Sequence, residues 1–286
     1  MKTVEITYRY GPDDGMARKR PTDSDAARLR LEEGNQAFAA LLDGLADDSG
    51  ATRRIIQVDS QDLGLNRGSR GGPKQRPFAA VLGCSDARVP IELIFDEGPN
   101  DLFVVRVAGN GLGSEVLGSL RYAVENLGGS LKLVVVLGHS GCGAVSAAVD
   151  VFLDPAQYLP VATNYSLRSI IDRLLVVVQA CAKGMQEILG SASARSPGYR
   201  AALIETSVVL NAALAAHAVQ KEIGGADIEG IKAVYGVYLL ETRQVWAPHH
   251  GTASWTGLAD PPNDLAAFAE LGNAVVRSDR IASLLR

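Results

Sequence analysis

The chain has 286 residues, of which 47% are hydrophobic, and a formal net charge of −4. That length supports a sizeable core in one or two domains, and with no Lys/Arg run the acidic balance argues against a nucleic-acid partner. No apolar run approaches the ~20 residues of a membrane span, and MKTVEITYRYGPDDG lacks the basic-then-apolar pattern of a secretory leader, so no membrane partner and a cytoplasmic location are expected, with a bacterial microcompartment left open.

Residues 1–24 are polar and charged and read as a loose arm or a partner-wrapping segment. Residues 25–49 read as a helix, with Leu29, Leu31, Phe38, Leu41 and Leu42 near helical spacing. Residues 60–77, rich in Gly, Arg, Gln and Pro, read as loop. Short apolar runs then alternate with helical patterns: strand 78–83, a helical turn 91–95, strand 102–108, helix 114–127 with Ser114 as its cap, and strand 131–137. Helices follow over 142–151, 167–189 and 199–223, then a strand at 231–240 and a short hairpin partner at 243–247. The tail from 248 opens as a Pro/Gly/His-rich loop and continues with helices near 263–271 and 278–285. This alternation predicts an α/β fold: a central, mostly parallel sheet of four to five strands flanked by helices, with an N-terminal helical arm. The expected divisions are an arm over 1–24, a main domain over 25–250 and a C-terminal extension over 251–286.

Three cysteines are too few for a disulfide framework and suit packing, nucleophilic attack or metal ligation. Cys84 ends the first central strand, in Cys84-Ser85-Asp86-Ala87-Arg88, and His139-Ser140-Gly141-Cys142-Gly143 follows the third. Ligands collect at the carboxyl ends of parallel strands, and two adjacent strands would bring both segments to one ion. Two Cys and one His are a catalytic zinc set that leaves a fourth position for water or substrate. Thiolate sulfur and imidazole nitrogen favour zinc over magnesium or calcium. Gly138, Gly141 and Gly143 would permit the tight turn. A carboxylate two residues from a ligand, Asp86, can reach the metal or pair with Arg88, whose guanidinium cannot lose its charge. Asp86 on the metal would close the site, and Asp86 on Arg88 would leave room for water. A Cys-His nucleophile pair is the rival chemistry, but it leaves one cysteine without a role. Cys181 reads as core, His217 as packing or surface, His249-His250 as a solvated loop, and Asp96-Glu97 and Glu32-Glu33 as exposed charge.

With these motifs the sequence resembles the β-class carbonic anhydrases, which carry a Cys-x-Asp-x-Arg segment and a downstream His-x-x-Cys. Here these are CSDARV at 84–89 and HSGCGA at 139–144, and the stretches 95–110 and 113–127 are also similar. Departures are Val107 for a common Asn and Asn100 for a common Gly. The resemblance implies zinc held by Cys84, His139 and Cys142, reversible hydration of carbon dioxide to bicarbonate, and a homodimer or larger homo-oligomer. It also implies a substrate hydrogen bond from Gln75 and a pocket lined by Phe103 and Tyr122, as in the plant-like subclass. The subclass closed by Asp has a Trp where this chain has Val81. Hydrolysis of carbonyl sulfide or carbon disulfide, or a closed site in a non-catalytic scaffold, are the alternatives.

Overall fold

The computed structural model describes residues 3–11, 18–41, 51–65, 72–224, 230–248 and 255–286. In chain order its elements begin with β1 (Thr3–Gly11), α1 (Ser24–Ala40), β2 (Ala51–Asp59), β3 (Ala79–Gly83), α2 (Ile91–Ile94), β4 (Leu102–Arg106), α3 (Ser114–Leu127) and β5 (Leu133–His139). They continue with α4 (Gly143–Leu153), α5 (Tyr158–Ala162), α6 (Tyr165–Leu189), α7 (Tyr199–Gly224), β6 (Lys232–Tyr238), β7 (Val245–Trp246), α8 (Leu265–Val276) and α9 (Asp279–Leu285).

The central sheet has five strands in the order β4-β3-β5-β6-β7, parallel except for the β6–β7 hairpin. Every residue of β3 and β5 is buried, which explains why both read as unbroken apolar runs: helices cover both faces. The strand period of two divides their side chains. Ala80, Leu82, Val134 and Val136 enter one core, with residues of α3, α4, α6 and α7. Ala79, Val81, Leu133, Val135 and Leu137 enter the other, with Ala27 and Leu31 of α1 and Ile91 and Ile94 of α2. The chain leaves β3 toward β4 on one side, whereas β5 leads to β6 on the other. The strand order therefore reverses at the β3/β5 crevice, the kind of place where open α/β sheets bind ligands.

Several expectations needed correction. Residues 3–11 are a strand rather than a loose arm, paired in parallel with β2 in a separate two-stranded sheet. Ser114 is the first residue of α3 rather than its cap; Gly113 caps it, and the Ser114 hydroxyl donates to Glu115. Asp96 and Glu97 are buried rather than exposed. Asp96 pairs with Arg18 and Arg54, and Glu97 with Arg30. Glu32 is tied in as well, accepting from the Leu258 amide at 2.8 Å. Cys181 lies in the core, as read from the sequence, and half-buried His217 packs edge-on to Phe268. His249-His250 lie outside the described residues.

Among the described residues, Tyr199–Glu222 of α7 is long and apolar enough to cross a membrane by length and composition. Its apolarity is accounted for by packing: Ala202, Leu203, Val209, Ala212, Ala213 and Ala216 are buried in the core beneath the sheet.

Candidate metal centre

Cys84 follows β3 directly, His139 is the last residue of β5, and Cys142 is the N-cap of α4. Because β3 pairs with β5, these positions converge at the carboxyl edge of the sheet. The ligand atoms of the three residues lie within 4.8 Å of one another, and all three side chains are buried. Gly141 makes the His-x-x-Cys turn possible with φ +61°, a conformation that favours glycine. Gly138 is favoured for a different reason, since a Cβ there would sit 3.2 Å from a Val208 methyl, which would have to shift slightly. Gly143 meets nothing within 4 Å, so the expected steric need for glycine there is not found.

The donor set fits a zinc ion. The Cys84 and Cys142 sulfurs are 3.9 Å apart, close to the roughly 3.8 Å that two ~2.3 Å zinc–sulfur bonds make across a tetrahedral angle. His139 Nδ1 lies 3.0 Å from the Ser140 carbonyl oxygen. That carbonyl can only accept, so the proton sits on Nδ1 and the Nε2 lone pair is left free. Nε2 is buried and has no hydrogen-bond partner. A buried acceptor without a partner is costly, and a metal ion would satisfy it. As bare thiols the two cysteines cannot both ionise at this separation. Cys142 donating to Cys84 pulls the Cys84 thiol below its usual range, and the same contact with burial pushes Cys142 above it. A cation would remove that conflict.

Beside the ligands, Arg88 grips Asp86 bidentately. Arg88 Nε donates to Asp86 Oδ1 at 3.0 Å and Nη2 to Oδ2 at 2.8 Å. The Arg88 backbone amide adds a third bond at 2.9 Å. This guanidinium holds the Asp86 carboxyl well below the usual carboxylate range. Asp86 Oδ2 is 3.9 Å from His139 Nε2, so the carboxylate borders the ligand cluster while remaining on Arg88.

Arg106 was not singled out by sequence reasoning. It stands opposite Gly83 in the β3–β4 register. Its guanidinium donates to the carbonyls of Cys84 at 3.0 Å and Asp86 at 2.6 Å. The Gly109 amide points at the Cys84 sulfur at 3.4 Å. An arginine ending the strand next to the cysteine's strand was the available signal.

Gln75, Phe103 and Tyr122 are not gathered with the ligands of their own chain. Phe103 pairs with Ala80, four residues before Cys84 and therefore roughly 13 Å along the strand. Tyr122 packs on Phe103 with ring centroids 6.5 Å apart. Gln75 is exposed ahead of the start of β3, the end of that strand opposite Cys84.

A family model described as carbonic anhydrase matches residues 79–237, which includes all three ligand candidates and Asp86, Arg88 and Arg106. Carbonic anhydrase 2 of Mycobacterium tuberculosis is 42% identical over 133 residues, covering 46% of this chain and 56% of that protein. A carbonic anhydrase of Mycolicibacterium smegmatis is 48% identical over 87 residues, covering 30% of this chain and 41% of that one. The chain thus spans about half the length of these relatives. Among solved structures, a Coccomyxa β-carbonic anhydrase in complex with acetazolamide aligns at a TM-score of 0.46 and 23% identity, covering 75% of this chain and 83% of that one. The family match extends over more than half of the chain and takes in both metal-binding motifs, and the chain belongs to the β-class carbonic anhydrase family.

Proposed function

We propose that this protein is a zinc enzyme that interconverts carbon dioxide and bicarbonate, releasing a proton in the hydration direction. The observation that carries this reading is a pair of buried sulfurs 3.9 Å apart beside a buried, partnerless imidazole nitrogen. Cys84, His139 and Cys142 would hold the ion and leave a fourth position open. Zinc in such a set supplies Lewis acidity, which makes water ionisable near neutral pH. Asp86, whose Oδ2 lies 3.9 Å from His139 Nε2, would stand beside that position as an ionised carboxylate and could accept a hydrogen bond from water there. Arg88 keeps Asp86 charged and turned away from the ligand position. Arg106 holds the backbone carbonyls of Cys84 and Asp86, so that ligand and carboxylate keep a fixed separation.

The working unit in this reading is at least a homodimer. Gln75, Phe103 and Tyr122 lie too far along the sheet to line their own chain's site, so a substrate role for them requires a second chain. The exposed Leu29 on α1 supports a partner-facing helix.

Stopped-flow hydration of carbon dioxide, run beside hydrolysis of carbonyl sulfide and carbon disulfide, tests the reaction. Hydration by the native chain that disappears in Cys84→Ala is the expected result. Hydrolysis of a sulfur analogue without carbon dioxide hydration would contradict it.

A further inference from the structure

The turn that carries two of the three ligands is held by a network that begins in the C-terminal extension. Within His139–Cys142, the Gly141 amide donates to Glu205 Oε1 of α7 at 2.8 Å. The Ser140 hydroxyl donates to Glu241 Oε2 at 3.1 Å and accepts from the Leu240 amide at 2.9 Å. The Ser140 carbonyl in turn accepts from His139 Nδ1. Both carboxylates bond the same short turn and, carrying like charge, repel each other. One group opposes that. Arg280 of α9 donates from Nε to Glu205 Oε2 at 3.1 Å and from Nη2 to the same oxygen, and its Nη1 donates to Glu241 Oε1. The Glu205 side chain is 11% exposed and that of Glu241 51% exposed, so Glu241 meets water far more readily than Glu205. A planar guanidinium fork reaches the two carboxylates from separate nitrogens, a geometry that a single ammonium nitrogen does not reproduce.

Helix α9 is itself anchored well enough to act as a fixed point. Ile281 is buried, Ser278 caps the helix, and the Ser196 hydroxyl donates to the Leu285 carbonyl at 2.9 Å. The backbone near Leu284 lies so close to Gly198 that a Cβ there would be 1.7 Å from the Leu284 oxygen.

We propose that Arg280 is a positioning residue for the metal-ligand turn. Through Glu205 and Glu241 it fixes the Ser140–Gly141 backbone that spaces His139 from Cys142. The proposal rests on reading Cys84, His139 and Cys142 as the metal centre, and it gives the C-terminal extension a role in retaining the metal. Without Arg280, Glu241 turns to solvent, the Ser140 hydroxyl loses its charged acceptor, and Glu205 keeps the Gly141 amide but loses its counter-charge. The turn then samples wider geometries and releases its ion faster. Loss of a residue that orients metal ligands typically costs about 10–100-fold in affinity. Arg280 acts one residue further out, so about 10-fold is expected.

The test uses the full chain and four variants, Arg280→Ala, Arg280→Lys, Glu241→Gln and Arg200→Ala, the last being an ion-pair partner of Asp150 on the same face. Two quantities are read besides folding by circular dichroism: the rate of zinc transfer to a chromophoric chelator, and the visible absorption of the cobalt-substituted protein, which reports tetrahedral geometry at the ion. Arg280→Ala should stay folded, release zinc about 10-fold faster and show shifted cobalt bands. Arg280→Lys should recover part of both effects, Glu241→Gln should accelerate release several-fold, and Arg200→Ala should match the native chain. A folded Arg280→Ala with native release and native bands would overturn the proposal. So would equal acceleration by Arg200→Ala, which would make the effect one of general charge. If Arg280→Ala does not fold, Glu241→Gln decides, and a native release rate there overturns the proposal. A native chain that binds neither zinc nor cobalt would instead remove the metal reading on which the proposal stands.

Discussion

At the residue scale the Asp86–Arg88 pair keeps one charge state across the neutral range. Asp86 is bonded three ways by Arg88, and its folded-state pKa is depressed below the ordinary 3.8. A depressed carboxylate contributes stability that is complete above its unfolded pKa and lost as pH falls through the folded value. Asp86 therefore stays ionised throughout the neutral and alkaline range, and its titration cannot shape activity there. In the proposed reaction the group that titrates there is water at the metal. Two thiolate donors neutralise zinc formally, so that water should ionise above the value of about 7 found with three His ligands. Carbon dioxide hydration should accordingly rise between about pH 6.5 and 9, and a flat stopped-flow profile would contradict this. Arg88→Ala should lower kcat/KM across the whole range while zinc content stays native. Undiminished rates in that variant would remove Arg88 from its assigned role and leave the ligand assignment standing. The ligands and this pair were legible in the sequence because both motifs are local. Arg106 was harder to read, because its partners are on another strand.

At the element scale, placement depends on charges and close contacts that span long stretches of sequence. Asp96 and Glu97 read as solvated charge because nothing near them in the chain is basic. Their partners Arg18, Arg30 and Arg54 arrive from the N-terminal segment. β1 and β2 escaped notice for a related reason. Along β1, exposed and half-buried residues alternate, so neither strand shows the apolar run that marks β3 and β5. The seat of α1 is decided by Gly34, where a Cβ would come 1.9 Å from the Phe95 carbonyl oxygen. Gly34→Ala must push the helix off that carbonyl, and overpacking of this kind costs about 2 kcal/mol. Thermal unfolding should show a Tm lower by a few degrees. An unchanged Tm would mean that α1 does not pack against Phe95 as described.

At the scale of the whole molecule, the sheet was legible because buried parallel strands are continuous apolar runs, and the site because both motifs follow such strands at their carboxyl ends; the reversal of strand order there emerges only from the structure. What one sequence could not convey is the relation between the far end of the sheet and the metal site. Gln75, Phe103 and Tyr122 match substrate-pocket positions by resemblance, yet within one chain they stand apart from the ligands. The proposed homodimer reconciles the two. Sedimentation at assay concentration should show a dimer or larger assembly, and a fully active monomer would rule out the shared pocket. The proposed function rests on Cys84, His139 and Cys142 holding one catalytic zinc. Its most direct test is zinc content measured together with stopped-flow carbon dioxide hydration, on the native chain and on Cys142→Ala with its fold checked by circular dichroism. The native chain should hold about one zinc, and the folded variant should have lost both metal and activity. Full zinc retention or native hydration in Cys142→Ala would contradict it.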